Sequence, residues 1–125
     1  MGGSPRLWRD PFQWRPRCYN KRADALCNLV LDTGSEIQYI SEDCADILTH
    51  TEHLLTYSDG ACRGDGRSSY GWVIYAVIEQ DGRREHLTLA LQGRLLDTNA
   101  SSFVTEALAL EAATAMVHDI ICKYL

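Results

Sequence analysis

Two carboxylates stand at positions where an acidic side chain is unfavourable unless it binds a partner. Asp59 ends an apolar run that begins at Leu54, and Gly60 follows it directly. Glu106 lies near the start of a long apolar segment. Burying such charges against a sheet is unfavourable unless they are paired or coordinated, and one divalent cation would satisfy both. Because Mg²⁺ prefers oxygen ligands and keeps several waters, a few convergent carboxylates suffice. We predict a Mg²⁺ site here, with Mn²⁺ as its substitute.

Each carboxylate also has a simpler interpretation. Asp59 is a common residue type in a turn before glycine. Glu106 suits the first turns of a helix, where the helix dipole stabilises a negative charge. The residues alone leave both alternatives open.

Three predicted strands and a long helix would position Asp59 and Glu106. The strands span about 54–59, 71–79 and 84–93, and the last of them alternates apolar and polar residues with period two. Asp81-Gly82 predicts a tight hairpin turn between the second and third strands. The helix, about 101–123, is apolar around much of its circumference and is expected to pack on a sheet. We expect an α/β fold, a mixed three-stranded sheet with this helix on one face.

The first predicted strand would leave one edge of that sheet open. An uncovered strand edge favours pairing with another chain. We therefore predict an edge-pairing partner as well as marginal stability of the isolated monomer.

A second helical region precedes the strands. Residues 19–32 carry Asn20 as a suitable N-cap, apolar residues at helical spacing, and Asp24 near the first turn. Residues 35–48 predict a second short helix. The chain thus divides into an irregular basic segment, 1–18, a helical segment, 19–53, and a strand-and-helix segment, 54–125.

Charge is unevenly distributed along the chain. The net charge is −5, yet residues 1–22 hold six basic residues and one acidic residue. Trp8, Phe12 and Trp14 alternate with arginines there, as in segments that stack on bases. The alternative is that these aromatic side chains dock on the domain.

Cysteine usage and hydropathy bear on the cellular compartment. The five cysteines include no C-x-x-C pair, which argues against a zinc site and a disulfide framework. No apolar run reaches the length of a membrane span, and the N-terminus lacks the apolar region of a secretory signal. We expect no membrane partner and an intracellular protein, nuclear or cytoplasmic and not secreted, with reduced cysteines.

Several motifs together resemble the front half of a type 1 ribonuclease H of the plant and retroelement kind. In chain order they are Ser58-Asp59-Gly60-Ala61, Gly71-Trp72-Val73-Ile74, Thr98-Asn99 and the segment from Thr105 to Ala113. The resemblance implies a ribonuclease H-like fold and metal-dependent endonucleolytic hydrolysis of RNA in RNA–DNA hybrids. It also implies that Asp59 and Glu106 hold Mg²⁺ at the scissile phosphate. Gly60 and Asn99 become the implied substrate contacts, with Asn99 at the RNA 2′-hydroxyl.

The helical segment resembles the last helix of the same family. Asn20 through Asn28 follows that helix's pattern, which makes Asp24 the family's peripheral metal carboxylate. In this chain the segment that resembles the end of the family's sequence therefore comes before the segments that resemble its beginning. Two explanations follow: the chain joins parts of adjacent ribonuclease H units, or it is a circular permutant.

A third essential aspartate of the family, on a fourth strand, is not found after the last helix. Asp32 is the one upstream substitute, on the alternative that residues 29–32 form a fourth strand instead of the end of the helix 19–32. Without a third carboxylate the alternatives are an inactive module that binds nucleic acid and a non-functional retroelement remnant.

Asp32-Thr33-Gly34 also resembles the active-site loop of a retropepsin-like aspartic protease. Two such loops share a proton in that family. The competing interpretation is a helix end with Gly34 as its cap.

Overall fold

The computed structural model describes residues 20–96 and 100–124. Its elements in chain order are α1 (Lys21–Thr33), β1 (Ile37–Ile40), α2 (Cys44–Thr49), β2 (Thr51–Cys62), β3 (Ser68–Gln80), β4 (Arg83–Leu96) and α3 (Ser102–Tyr124). Over these residues the strands form one sheet in the order β1-β4-β3-β2, and every neighbouring pair is antiparallel. The predicted α/β class is confirmed. The sheet is four-stranded and antiparallel, so the predicted mixed three-stranded sheet is wrong.

Helices cover both faces of the sheet. Side chains along a strand point alternately to the two faces of the sheet. Asp59 and Gly60 are neighbours in β2 and therefore lie on opposite faces. Gly60 lies against Thr105 of α3, whereas Gly71, the cross-strand partner of Asp59, lies under Leu26 of α1. We call these sides the α3 face and the α1 face. A helix was predicted on one face only, and the second helical layer comes from α1.

The α3 face holds the larger apolar core. Its centre is formed by Trp72, Ile74 and Leu89 of the sheet with Ala113 and Ile120 of α3. Cys44 and Leu48 extend this core to α2. On the α1 face a smaller cluster joins Leu26, Val73 and Leu91. Most apolar stabilisation therefore comes from the α3 face.

Two cross-strand glycines let α1 lie close to the sheet. Gly71 of β3 and Gly93 of β4 are directly opposite each other. A Cβ atom at Gly71 would lie 3.0 Å from Leu26 Cβ, and one at Gly93 would lie 2.6 Å from Val30 Cγ2. Because neither position has a side chain, the helix backbone approaches the strands directly.

The hairpin between β3 and β4 follows its sequence signal. Asp81 and Gly82 both have positive φ, 51° and 76°. A two-residue turn of this kind matches the twist of the flanking strands. The predicted Asp-Gly turn is confirmed.

The segment 35–48 differs from its prediction. Ile37–Ile40 is strand β1, paired with β4 so that Ile37 faces Gly93, and only Cys44–Thr49 is helical. Periodicity alone does not distinguish a strand from a helix in so short an apolar run. Residues 37–40 form a strand because the edge of β4 is available for pairing. The predicted strand 29–32 is wrong, because these residues lie in α1.

The outer side of β2 is one edge of the sheet. Within 20–96 and 100–124, no other strand pairs with that side, so the predicted open edge is confirmed for this part of the chain. In the same residues no helix is long and apolar enough to cross a membrane.

Candidate carboxylate site

Asp59 is held near the end of β2 with its side chain on the α1 face. One of its carboxylate oxygens, Oδ1, accepts a 2.8 Å hydrogen bond from the Gly60 N–H. The Cys27 thiol of α1 donates to the Asp59 carbonyl oxygen at 3.3 Å. The side chain is therefore oriented by its own strand, while its backbone is joined to the helix above it.

Two other predicted carboxylates act on Asp59. Asp24, an exposed residue one turn before Cys27 in α1, lies within hydrogen-bonding reach of the Asp59 side chain, and its charge acts on Asp59. Glu106 of α3 contributes a further negative charge from the opposite layer. It follows Thr105, which is buried against Gly60. Asp24, Asp59 and Glu106, distant in sequence, therefore belong to one electrostatic cluster.

The environment of Asp59 opposes its ionisation. Partial burial raises the pKa of the Asp59 carboxyl above its ordinary value, and the charges of Asp24 and Glu106 raise this pKa further. The Gly60 N–H opposes these effects by stabilising the ionised form. An additional positive charge at this point would relieve the repulsion among the three side chains.

Glu106 differs from its prediction in one respect. We expected its side chain among the apolar residues that pack on the sheet, but it is exposed. Solvent therefore accommodates the charge of Glu106, which lies beyond the first turn of α3. Of the three carboxylates, only that of Asp59 is unfavourably placed, because only Asp59 is partly buried.

Cys27 of α1 and Ser69 of β3 support the site, and neither was identified as a site residue from the sequence. Burial, together with the nearby Asp59 and Asp24, raises the pKa of the Cys27 thiol to about 12. The Ser69 hydroxyl donates a 2.9 Å hydrogen bond to the Cys27 carbonyl oxygen. Helical spacing marks Cys27 as a core residue, but only packing reveals that it contacts Asp59.

The donor chemistry of the cluster fits a hard divalent cation, since all three side chains offer carboxylate oxygens. The observed conformation is not a ligating one. In the part of the chain that the structure describes, no three His, Cys, Asp or Glu side chains form a group that could hold a metal ion. Binding would require Asp24 or Glu106, both at the surface, to change rotamer.

Asp32 lies apart from this cluster. It is eight residues beyond Asp24, about 12 Å along the helix axis, and it forms a 2.8 Å ion pair with Arg63. Gly34 has φ of 69° and ends α1 as a left-handed cap, with its N–H donating to the Val30 carbonyl oxygen. The interpretation of Asp32-Thr33-Gly34 as a helix end is confirmed. Asn99, the predicted 2′-hydroxyl contact, lies outside the described residues.

In comparisons with known proteins, the chain matches no family model, no curated protein and no solved structure.

Proposed function

We propose that this protein is a metal-dependent endonuclease that hydrolyses RNA in RNA–DNA hybrids, with a ribonuclease H-like domain. The observation that carries this proposal is the coupling of Asp24, Asp59 and Glu106. Their positions were selected from three separate sequence motifs, and they come from α1, β2 and α3.

The packing of α1 supports a circular permutant rather than parts of two adjacent units. In the permutant, the helix that ends the family's sequence stands first in the chain and covers the same sheet. α1 packs on β2, β3 and β4, with Ala23 and Leu26 over Gly71. A helix belonging to a different unit would not require a glycine at this contact.

In the proposed reaction Asp59, Glu106 and Asp24 would hold Mg²⁺. When bound, the metal would supply an activated water and would stabilise the oxygen that leaves the cleaved phosphate. Asp59 acts through its orientation, because the Gly60 N–H fixes one carboxylate oxygen and leaves the other for the cation. Since the pKa of Asp59 is raised, protons compete with the metal, and activity should increase with pH through the titration of Asp59.

A second candidate function is a hybrid-binding module without hydrolysis. It is favoured by the absence of a ligating group among the described His, Cys, Asp and Glu side chains. Such a module would bind RNA–DNA hybrids equally well in EDTA and in Mg²⁺. It would cleave none of them.

A cleavage assay on a labelled RNA–DNA hybrid tests the proposal. We expect Mg²⁺-dependent cuts in the RNA strand, with single-stranded RNA and duplex DNA left intact. Asp59→Asn and Glu106→Gln should each lose more than about 10–100-fold in activity, the loss that typically follows when a residue that only supports a metal ligand is mutated. Asp24→Asn should lose less, since it replaces a peripheral ligand.

Asp32→Asn is the matched control. It neutralises an aspartate of the same helix that is paired with Arg63 and lies away from the cluster, so it should cleave like wild type. If folded wild-type protein binds the hybrid but does not cleave it, the hybrid-binding module without hydrolysis would be the remaining candidate function. Cleavage that persists in Asp59→Asn would remove the proposed site altogether.

A further inference from the structure

Three large apolar side chains form a stripe along the solvent side of α3. Phe103 is 79% exposed, Leu110 58% and Ile121 44%. With 3.6 residues per turn these positions fall within about 20° of one another around the helix. We call Phe103, Leu110 and Ile121 the apolar stripe. Exposed aromatic and aliphatic side chains aligned in this way are typical of contact surfaces.

The apolar stripe lies on the same side of the molecule as the open edge of β2. The opposite flank of α3, at Asp119 and Lys123, faces Ile40 of β1 across a shallow cavity of about 200 Å³. Strand β1 is at the far edge of the sheet from β2. The stripe therefore points away from β1, over the edge where β2 ends the sheet.

Glu106 gives an independent indication of the same direction. It lies on α3 between the buried residues and the apolar stripe, and its charge acts on Asp59 of β2. A side chain on that flank is consequently directed towards β2. The open strand edge and the apolar stripe therefore lie on the same side of the molecule, with Glu106 between them.

We propose that this surface binds a second copy of the same chain. The two β2 strands would pair antiparallel about a twofold axis, and the two apolar stripes would pack against each other. This arrangement is isologous, since each copy contributes the same strand and the same helix face. It would join the two sheets and leave neither β2 edge exposed.

Strand and helix spacings agree in this arrangement. Neighbouring strands are about 4.8 Å apart, so each β2 lies about 2.4 Å from the twofold axis. Helix α3 packs on β2 and β3, which places its axis near the line midway between them, about 4.8 Å from the twofold axis. The two copies of α3 would then lie about 9.6 Å apart, within the usual 8–10 Å for packed helices.

The apolar stripe is also self-complementary along its length. In antiparallel helices, pairing Phe103 with Ile121 of the partner subunit places Leu110 beside Thr114 of the partner subunit, and the reverse contacts follow by symmetry. The centre of this pairing is seven residues beyond Thr105, about 10.5 Å along the helix. Thr105 packs on Gly60, so the corresponding centre on β2 is about three residues before Gly60, near the middle of the strand.

Sedimentation velocity on the full chain tests this proposal. Wild type should sediment with about twice the chain mass of 14.1 kDa and dissociate on dilution. Leu110→Asp and Phe103→Asp should each weaken dimerisation by about tenfold or more, because each places two charges in the contact. Both positions are exposed in the monomer, so circular dichroism should remain that of wild type.

Val104→Asp is the control, because Val104 is 42% exposed on α3 but lies outside the apolar stripe. It should dimerise like wild type. A monomeric wild type at all concentrations would overturn the proposal, even if an unrelated polypeptide binds the surface. Equal dissociation of Val104→Asp and Leu110→Asp, or open-ended polymers of wild type, would also overturn it. None of these readouts depends on nuclease activity.

Discussion

The two faces of the sheet differ in what they bury. The α3 face encloses the larger apolar core around Trp72, Ile74 and Leu89. The α1 face has a small apolar cluster and places a thiol and two carboxylates, Cys27, Asp24 and Asp59, along the contact between helix and strand. The comparison shows that one face mainly stabilises the domain while the other accommodates unfavourable charge.

The largest effect should come from Trp72→Ala on the α3 face. Trp72 is fully buried, and loss of a buried tryptophan typically lowers the free energy of unfolding by about 3–5 kcal/mol. Val73→Ala, one residue away on the α1 face, should lower it by about 2 kcal/mol. Urea denaturation measures both. Equal losses would show that the two faces stabilise the domain equally.

Glycine substitutions should show a smaller difference in the free energy of unfolding between the α3 contact and the α1 contact. A Cβ at Gly60 would clash with Thr105, including its backbone carbonyl carbon at 2.7 Å, so Gly60→Ala should lower the free energy of unfolding by about 1–3 kcal/mol. Gly71→Ala should lower it less, since its nearest atoms, in Ala23 and Leu26, are 3.0 Å away. Gly64→Ala, with no atom within 4 Å, is the control. A larger loss at Gly71 would reverse the comparison.

Asp59→Asn should change stability in the opposite direction. A carboxyl whose pKa in the folded protein is raised from 3.8 stabilises the fold only while protonated, and this contribution is lost as pH rises through the raised pKa. The metal-free variant should therefore be more stable than wild type at neutral pH, by less than about 1 kcal/mol because solvent screens this half-exposed group.

The stability difference between Asp59→Asn and wild type should disappear in acid, below the ordinary pKa of the carboxyl. Added Mg²⁺ should raise the melting temperature of wild type and leave that of the variant unchanged. Thermal melts across pH, with and without Mg²⁺, measure both effects. A variant less stable than wild type at neutral pH would contradict the unfavourable charge assigned to the α1 face.

Thiol labelling should show that the contacts on both faces of the sheet exclude solvent. Cys27 and Cys44 are buried and burial raises the pKa of both thiols, whereas Cys62 and Cys122 are exposed. Among these four thiols of the native protein, iodoacetamide should modify Cys62 and Cys122 first. Peptide mass spectrometry identifies the modified positions. Early modification of Cys27 would show that α1 separates readily from the sheet.

Strongly periodic segments were predicted well. The helix 19–32, the helix 101–123, the Asp81-Gly82 turn and three of the strands all correspond to observed elements. Strand β1 was missed because four residues carry too little periodicity to distinguish strand from helix. A strand at 29–32 was the alternative to the end of the first helix, and the apolar face of α1 excludes that alternative.

The candidate site was only partly accessible to sequence reasoning. The motifs identified Asp24, Asp59 and Glu106 as candidates. Packing places Asp24 and Glu106 where their charges raise the pKa of the Asp59 carboxyl. Nothing in the spacing of Cys27 or Ser69 could show that Cys27 contacts Asp59 and that Ser69 contacts Cys27. Both contacts depend on how closely α1 approaches the strands. The absence of a side chain at Gly71 and Gly93 determines this approach.

The sequence by itself determined which residues can carry charge-based chemistry and which segments have one apolar side. Both properties are local, since they depend on residue type and on repeats of two or 3.6 residues. Tertiary structure alone decided that α1 covers the strand bearing Asp59, and that β2 ends the sheet formed by residues 20–96 and 100–124. Those outcomes depend on contacts between residues distant in sequence, where backbone clearance and competition for a strand edge determine the neighbours.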